Sequence, residues 1–214
     1  QFLRQRITRL KVQLERVEKE RVTQKQRRSN CLQVSLIGYT NAGKSTIMNA
    51  LTSSELLVED RLFATLDSTT RLLEDDSRPK VLLSDTVGFI SNLPHEVVAA
   101  FRSTLATVKD ADLLLQIIDA GDNIEQHLQT TTEVLADLDA LCIPILKVFN
   151  KIDQLQPARL LMLEKMYPDA IFVSAINNGK KGFDKNKTLI DKLRKKILVF
   201  FNEQIGRASC RERV

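Results

Sequence analysis

Cysteine is scarce in this chain: Cys31, Cys142 and Cys210 are the only three, with no C-x-x-C pair and no metal-ligand spacing among them. That excludes a disulfide framework and a cysteine zinc site, and free thiols are expected. Long hydrophobic runs are missing as well. None approaches the roughly 20 apolar residues that a membrane-spanning helix needs, and no signal-peptide pattern is present. The expectation is a protein without membrane association, in the cytoplasm or in an organelle matrix. Histidine occurs twice. His95 follows a Leu-Pro turn and reads as a helix start, and His127 reads as a solvated helix residue. At 214 residues there is room for one domain of moderate size and one appendage.

What is present begins with Gly38-Tyr39-Thr40-Asn41-Ala42-Gly43-Lys44-Ser45, which fits G-x-x-x-x-G-K-[ST]. The apolar run Leu32 to Ile37 precedes it as a strand and Ser45 to Leu51 follows as a helix. In that context the glycine-rich turn aims successive N–H groups, and the helix N-terminus, at a polyanion. Lys44 is then expected at the β and γ phosphates and the Ser45 hydroxyl on Mg²⁺. The bland alternative is a chance glycine-rich turn.

Further elements follow in order, each at the end of an apolar strand. Lys80 to Ser84 leads into Asp85-Thr86-Val87-Gly88, a D-x-x-G element in which Asp85 would hold Mg²⁺ and the Gly88 N–H would approach a γ-phosphate. Alone it is a weak signal, because Asp and Gly punctuate loops generally. Ile143 to Phe149 ends at Asn150-Lys151-Ile152-Asp153, an N-K-x-D element. The Asp153 carboxylate can accept from both N1–H and the exocyclic amine of guanine, a donor pair adenine lacks. Asn150 would brace the loop and the Lys151 stem would lie over the base. Ile171 to Val173 delivers Ser174-Ala175, with a backbone N–H for the guanine oxygen.

These elements resemble those of translation-factor-like GTPases. More narrowly, Gly38 to Thr46, Leu62-Phe63-Ala64-Thr65-Leu66-Asp67, Asp85-Thr86-Val87-Gly88-Phe89-Ile90 and Leu93-Pro94-His95 are similar to the HflX family, over residues from about 3 to 200. The resemblance implies an α/β P-loop GTPase with a mostly parallel six-stranded sheet, helices on both faces and an antiparallel member near Arg71 to Glu74. It implies GTP as substrate, Mg²⁺ held by Ser45, Asp85 and a switch I threonine, and potassium held by Asn41. Thr65 is the threonine it points to; Thr69 and Thr70 stay open. Where many GTPases carry a water-orienting glutamine, this chain has Phe89, and a phenyl ring cannot position water. Slow intrinsic hydrolysis is expected, with Lys44, Thr65 and Gly88 as the catalytic candidates.

Helical stretches are expected over roughly Pro94 to Val108, Glu125 to Leu141, Ala158 to Met166 and Lys185 to Phe201, alternating with the strands. At the start, Leu3, Ile7, Leu10, Leu14 and Val17 recur at spacings of four and three, a heptad seam. Residues 1–30 form the expected arm helix, and the family resemblance makes it one half of a helical hairpin whose other half lies in a missing N-terminal domain. A homodimeric coiled coil is disfavoured by the short seam, and a monomer is expected. The arm carries ten Lys or Arg against three acids; the last ten residues contribute +2, leaving residues 31–204 at −4 within the total of +5. Such an arm suits RNA phosphates, though the same charges also suit a solvated helix face. Residues 31–204 read as the GTP-binding domain. Residues 205–214 look like a translated sequencing adapter and are set aside.

The expected function is therefore a GTP-hydrolysing switch associated with the large ribosomal subunit and its RNA, splitting or rescuing ribosomes. One rival is a nucleotide-gated RNA-binding module with negligible hydrolysis. Another is a related GTPase of transfer-RNA modification or ribosome assembly.

Overall fold

The computed structural model describes residues 31–52, 69–73, 80–86, 88, 107–175 and 183–211, with side chains in the last stretch described for 188–203. The arm at 1–30, most of switch I including Thr65, and Phe89 and His95 lie outside the described residues.

Among the described residues six strands form one sheet: β1 (Cys31–Gly38), β2 (Thr70–Leu72), β3 (Lys80–Asp85), β4 (Leu113–Asp119), β5 (Ile145–Asn150) and β6 (Ile171–Phe172). Their spatial order is β2-β3-β1-β4-β5-β6. Only β2 runs antiparallel, pairing Arg71 with Leu83 on β3. The sheet therefore has the single reversed edge strand expected near Arg71. β1 lies between β3 and β4, with Val34 opposite Leu83 on one side and Leu113 on the other. The chain runs from β1 toward β3 and then crosses back to β4 on the other side of β1, so the strand order reverses there and a crevice opens at the carboxyl end of β1.

Side-chain alternation sorts the core into two layers. Val34, Leu36, Leu113, Leu115 and Ile117 face a cluster with Ile47, Met48 and Leu51 of α1 (Lys44–Thr52). Ile37, Leu114 and Ile118 face the opposite side, against α2 (Ile124–Asp137) and α3 (Pro157–Met166). This period of two, buried on both faces, is what a central parallel strand requires. β4 is apolar except for buried Gln116 and the closing Asp119, and a run of this kind does not declare itself strand or helix.

α4 (Phe183–Arg211) closes the α1 layer with Ile190, Leu193, Ile197 and Phe201 at helical spacing. Arg194 reaches from it to the Leu51 carbonyl at 3.2 Å, placing a cation on the last turn of α1, where the helix dipole favours one. The structure extends this helix past the expected end at Phe201. It ends α2 earlier than the expected Leu141. Asp139 adopts φ 49°, and the Ala140 and Asp139 N–H groups return to the Leu135 and Ala136 carbonyls at 2.9 and 3.0 Å. That is a Schellman stop with aspartate where glycine is usual.

Candidate nucleotide site

The glycine-rich loop leaves β1 at Gly38, whose φ of 143° is one that L side chains rarely adopt. A Cβ there would run into the Ile117 carbonyl of β4. Asn41 turns the chain in the left-handed region, φ 59°, and Gly43 has φ 91°. A Cβ on Gly43 would overlap the Asn150 side-chain amide, so the loop and the N-K-x-D segment are in direct contact. Lys44 curls back into the loop, donating to the Tyr39 carbonyl at 3.0 Å and the Gly38 carbonyl at 3.3 Å. Thr40 and Ala42 are buried, while Asn41 is exposed and Thr46 half-buried at the helix start.

Burial lowers the Lys44 ammonium from its ordinary value of 10.5 to about 8, against the opposing pull of Asp85. Between these values the unfolded chain holds the proton and the folded chain does not, so this residue's contribution to stability rises with pH across that window. Below about pH 8 both forms are protonated and the cost is full, on the order of 3 kcal/mol at about 1.4 kcal/mol per pKa unit. Urea denaturation of the nucleotide-free protein is expected to show this rise between pH 8 and 10, and Lys44→Met to lack it. Parallel pH dependence in the two proteins would contradict the assignment.

Beside Lys44, the Ser45 hydroxyl donates to Asp85 Oδ2 at 2.6 Å. The Asp85 N–H donates to the Thr69 carbonyl at 2.9 Å, and Thr86 Oγ1 donates to the Leu36 carbonyl at 2.6 Å. These bonds fix the end of β3 against β1 and β2. A Cβ on Gly88 would come within 2.8 Å of Thr40 and 3.0 Å of Lys44 Nζ, so this glycine permits D-x-x-G to press onto the loop. The donor set suits Mg²⁺: a hydroxyl and a carboxylate, both hard oxygens, meet at the helix start. The described residues contain no cluster of three or more His, Cys, Asp or Glu able to cage a metal. Two protein oxygens completed by phosphate and water is the usual Mg²⁺ arrangement. Of the open threonines, Thr70 instead bonds its hydroxyl to Ser84 at 3.0 Å within the sheet.

Asn150 ends β5 with its side chain buried. Its Nδ2 donates to the Ala42 carbonyl at 2.9 Å, and its Oδ1 accepts from the Ala175 N–H at 3.2 Å. One side chain thus joins the phosphate loop, the N-K-x-D segment and the Ser-Ala segment. The Ala175 N–H, expected at a guanine oxygen, is engaged by Asn150. Asp153 is exposed and oriented by Ser174 Oγ, which donates to its Oδ1 at 2.6 Å.

Two features escaped the sequence reading. Lys151, in the left-handed region at φ 63°, pairs through Nζ with Asp119 Oδ2 at 2.8 Å. The signal was available: Asp119 closes an apolar strand, as Asp85 does. His127 is a correction, because it is 4 % exposed rather than solvated. Its ring stacks on Tyr39 with centroids 4.3 Å apart and planes 15° from parallel. Burial, the larger influence, holds its pKa below the ordinary range, while Asp122 and Asp119 pull upward and Lys151 downward.

Fold and site together define a P-loop domain of the GTPase class. A family model described as 50S ribosome-binding GTPase matches residues 33–151. The chain belongs to that family, and it is similar to proteins named GTPase HflX. It is 45 % identical over 204 residues to GTPase HflX of Gluconacetobacter diazotrophicus, covering 95 % of this chain and 43 % of that one. Against GTPase HflX of Escherichia coli K12 the identity is 44 % over 179 residues, covering 81 % and 42 %. Among solved structures, a GTP-binding protein from Sulfolobus solfataricus in complex with GDP aligns with TM-score 0.56 and 28 % identity, covering 90 % of this chain and 59 % of that one. The chain spans less than half the length of these curated relatives.

Proposed function

We propose that this chain binds and hydrolyses GTP as an HflX-type switch that associates with the large ribosomal subunit. The observation that carries the nucleotide reading is Asn150, whose side chain bridges the Ala42 carbonyl and the Ala175 N–H. A site that locks a phosphate-binding loop to a base-reading loop is matched to a ligand with both parts. In this reading the loop N–H groups of residues 38–46 and the Lys44 ammonium take the phosphates, and Asp153 reads guanine. Ser45 and Asp85 would hold Mg²⁺, with Thr65 joining from switch I; the ion neutralises phosphate charge when bound. Exposed Asn41 would offer its amide oxygen to potassium. Gly88 and Thr65 are the contacts that differ between triphosphate and diphosphate states, so they are what biases the switch.

Kinship with proteins named GTPase HflX and the description of the matched family support the ribosomal partner. Among the described residues no helix is long and apolar enough to cross a membrane. The test is GTP turnover in potassium and in sodium, with and without purified large ribosomal subunits. Stimulation by subunits is expected, on the order of tenfold or more since outside charge stabilisation is worth at least that much in related chemistry. Tight GTP binding with turnover unmoved by subunits would replace this reading with that of a nucleotide-gated binding module. Loss of stimulation in sodium alone would support the Asn41 ion.

A further inference from the structure

We propose that His127 is a positioning residue that couples the phosphate loop to the guanine loop through its stack on Tyr39. This rests on the guanine-nucleotide reading of the site and deepens it. Tyr39 is the first residue after Gly38, and its carbonyl accepts from Lys44 Nζ at 3.0 Å. Its ring lies almost parallel to the His127 ring at 4.3 Å. Across the imidazole, Nε2 sits 3.5 Å from Asp122 Oδ2. Asp122 belongs to the turn that follows β4, its N–H reaching the Asp119 carbonyl at 3.4 Å. The same turn is held by Asp119 Oδ1, which accepts from the Gly121 N–H at 2.9 Å, while Oδ2 of Asp119 takes Lys151 at 2.8 Å. One short turn therefore carries Lys151 of the guanine loop on one carboxylate and steadies His127, and so Tyr39, with the other.

The chemistry of the imidazole fits this role. Nδ1 is buried without a hydrogen-bond partner, so the proton belongs on Nε2 facing Asp122 and the ring is neutral. A protonated ring would bury an unsatisfied donor and set a second cation beside Lys151, in competition for Asp119. Burial pushing its pKa down agrees. A neutral ring presents a flat face to Tyr39, and offset or parallel aromatic packing fixes the orientation of its partner as an aliphatic side chain does not. As mere filler for the α2 core, leucine would serve without the unfilled nitrogen.

That contrast sets the experiment: calorimetric titration with GDP and with IDP, which lacks the exocyclic amine. The proteins are the unsubstituted chain, His127→Phe, His127→Leu, Tyr39→Leu and the His127→Leu/Tyr39→Leu double variant. His127→Leu is expected to weaken GDP roughly tenfold, within the range of coupling for residues in contact, and to lower the GDP-to-IDP preference. His127→Phe, which keeps the ring face over Tyr39 but loses the Asp122 contact, should bind GDP more tightly than His127→Leu yet show the same lowered GDP-to-IDP preference, and the double variant should be no worse than the weaker single one. Equal GDP affinity of the Leu and Phe variants, or single effects that multiply in the double variant, overturns the coupling. That result with normal GDP binding by the unsubstituted chain sinks this inference alone. No GDP binding by the unsubstituted chain would sink the guanine reading and the inference with it.

Discussion

Asparagine at position 153 is expected to move base preference from guanine to xanthine. Guanine presents two donors, N1–H and the 2-amino group, and a carboxylate offers two acceptors. The amide of Asp153→Asn offers one acceptor and one donor, so one edge of guanine meets donor against donor. Xanthine, with N1–H beside a 2-oxo group, matches that amide. Loss of GDP affinity on the order of 10⁴ is expected, the scale on which a site built for one polar pattern rejects another. Affinity for XDP should rise by a comparable factor. Ser174 makes the outcome sharp, because its hydroxyl at 2.6 Å already holds one oxygen of residue 153 and restricts how the amide can turn. Unchanged GDP binding would remove Asp153 from the base-reading role.

Lys44→Ala should abolish most turnover while leaving the nucleotide-free fold intact or firmer. The ammonium is buried and held only by loop carbonyls and the pull of Asp85, so it costs the empty protein stability. Its return is at the phosphates, where a fixed cation stabilises charge that develops during transfer. Removing one such group lowers rates by roughly 10² to 10³. Single-turnover hydrolysis and a thermal melt of the same preparation check both halves. A variant that melts lower and hydrolyses at the normal rate would mean that Lys44 is structural.

The parts of this site written in local sequence were legible. Glycines at 38 and 43 sit where the backbone needs unusual φ, Asp85 and Asn150 each close an apolar strand, and Ser174 follows one. Because parallel strands deliver their carboxyl ends to one edge, motif order alone brought them together. Local pattern is silent where tertiary packing overrides it. Leu113 to Asp119 carries no alternation, since β4 is buried on both faces, and such a run does not declare itself strand or helix. His127 stands among Gln, Glu and Thr in a helix, and nothing nearby in sequence shows that Tyr39 covers it. The stop of α2 was misplaced because Asp139 takes a conformation that glycine usually signals. Thr65 and Phe89 lie outside the described residues, so they remain as the sequence left them.

The embrace of α1 by α4 has a consequence for how the protein comes into being. Ile190, Leu193, Ile197 and Phe201 complete the layer over Ile47, Met48 and Leu51, and Arg194 closes the last turn of α1. The phosphate loop precedes most of the other described elements in the chain, yet the helix that anchors it finds its cover far later, the Arg194 bond to Leu51 spanning 143 residues. Contacts so distant in sequence form late, because chain ends must be brought together before the contact rewards it. A nascent chain would thus display the whole glycine-rich loop long before it had a rigid pocket. Nucleotide capture is then expected to wait on the docking of α4 against α1, and a chain stalled before Phe201 to bind GTP weakly.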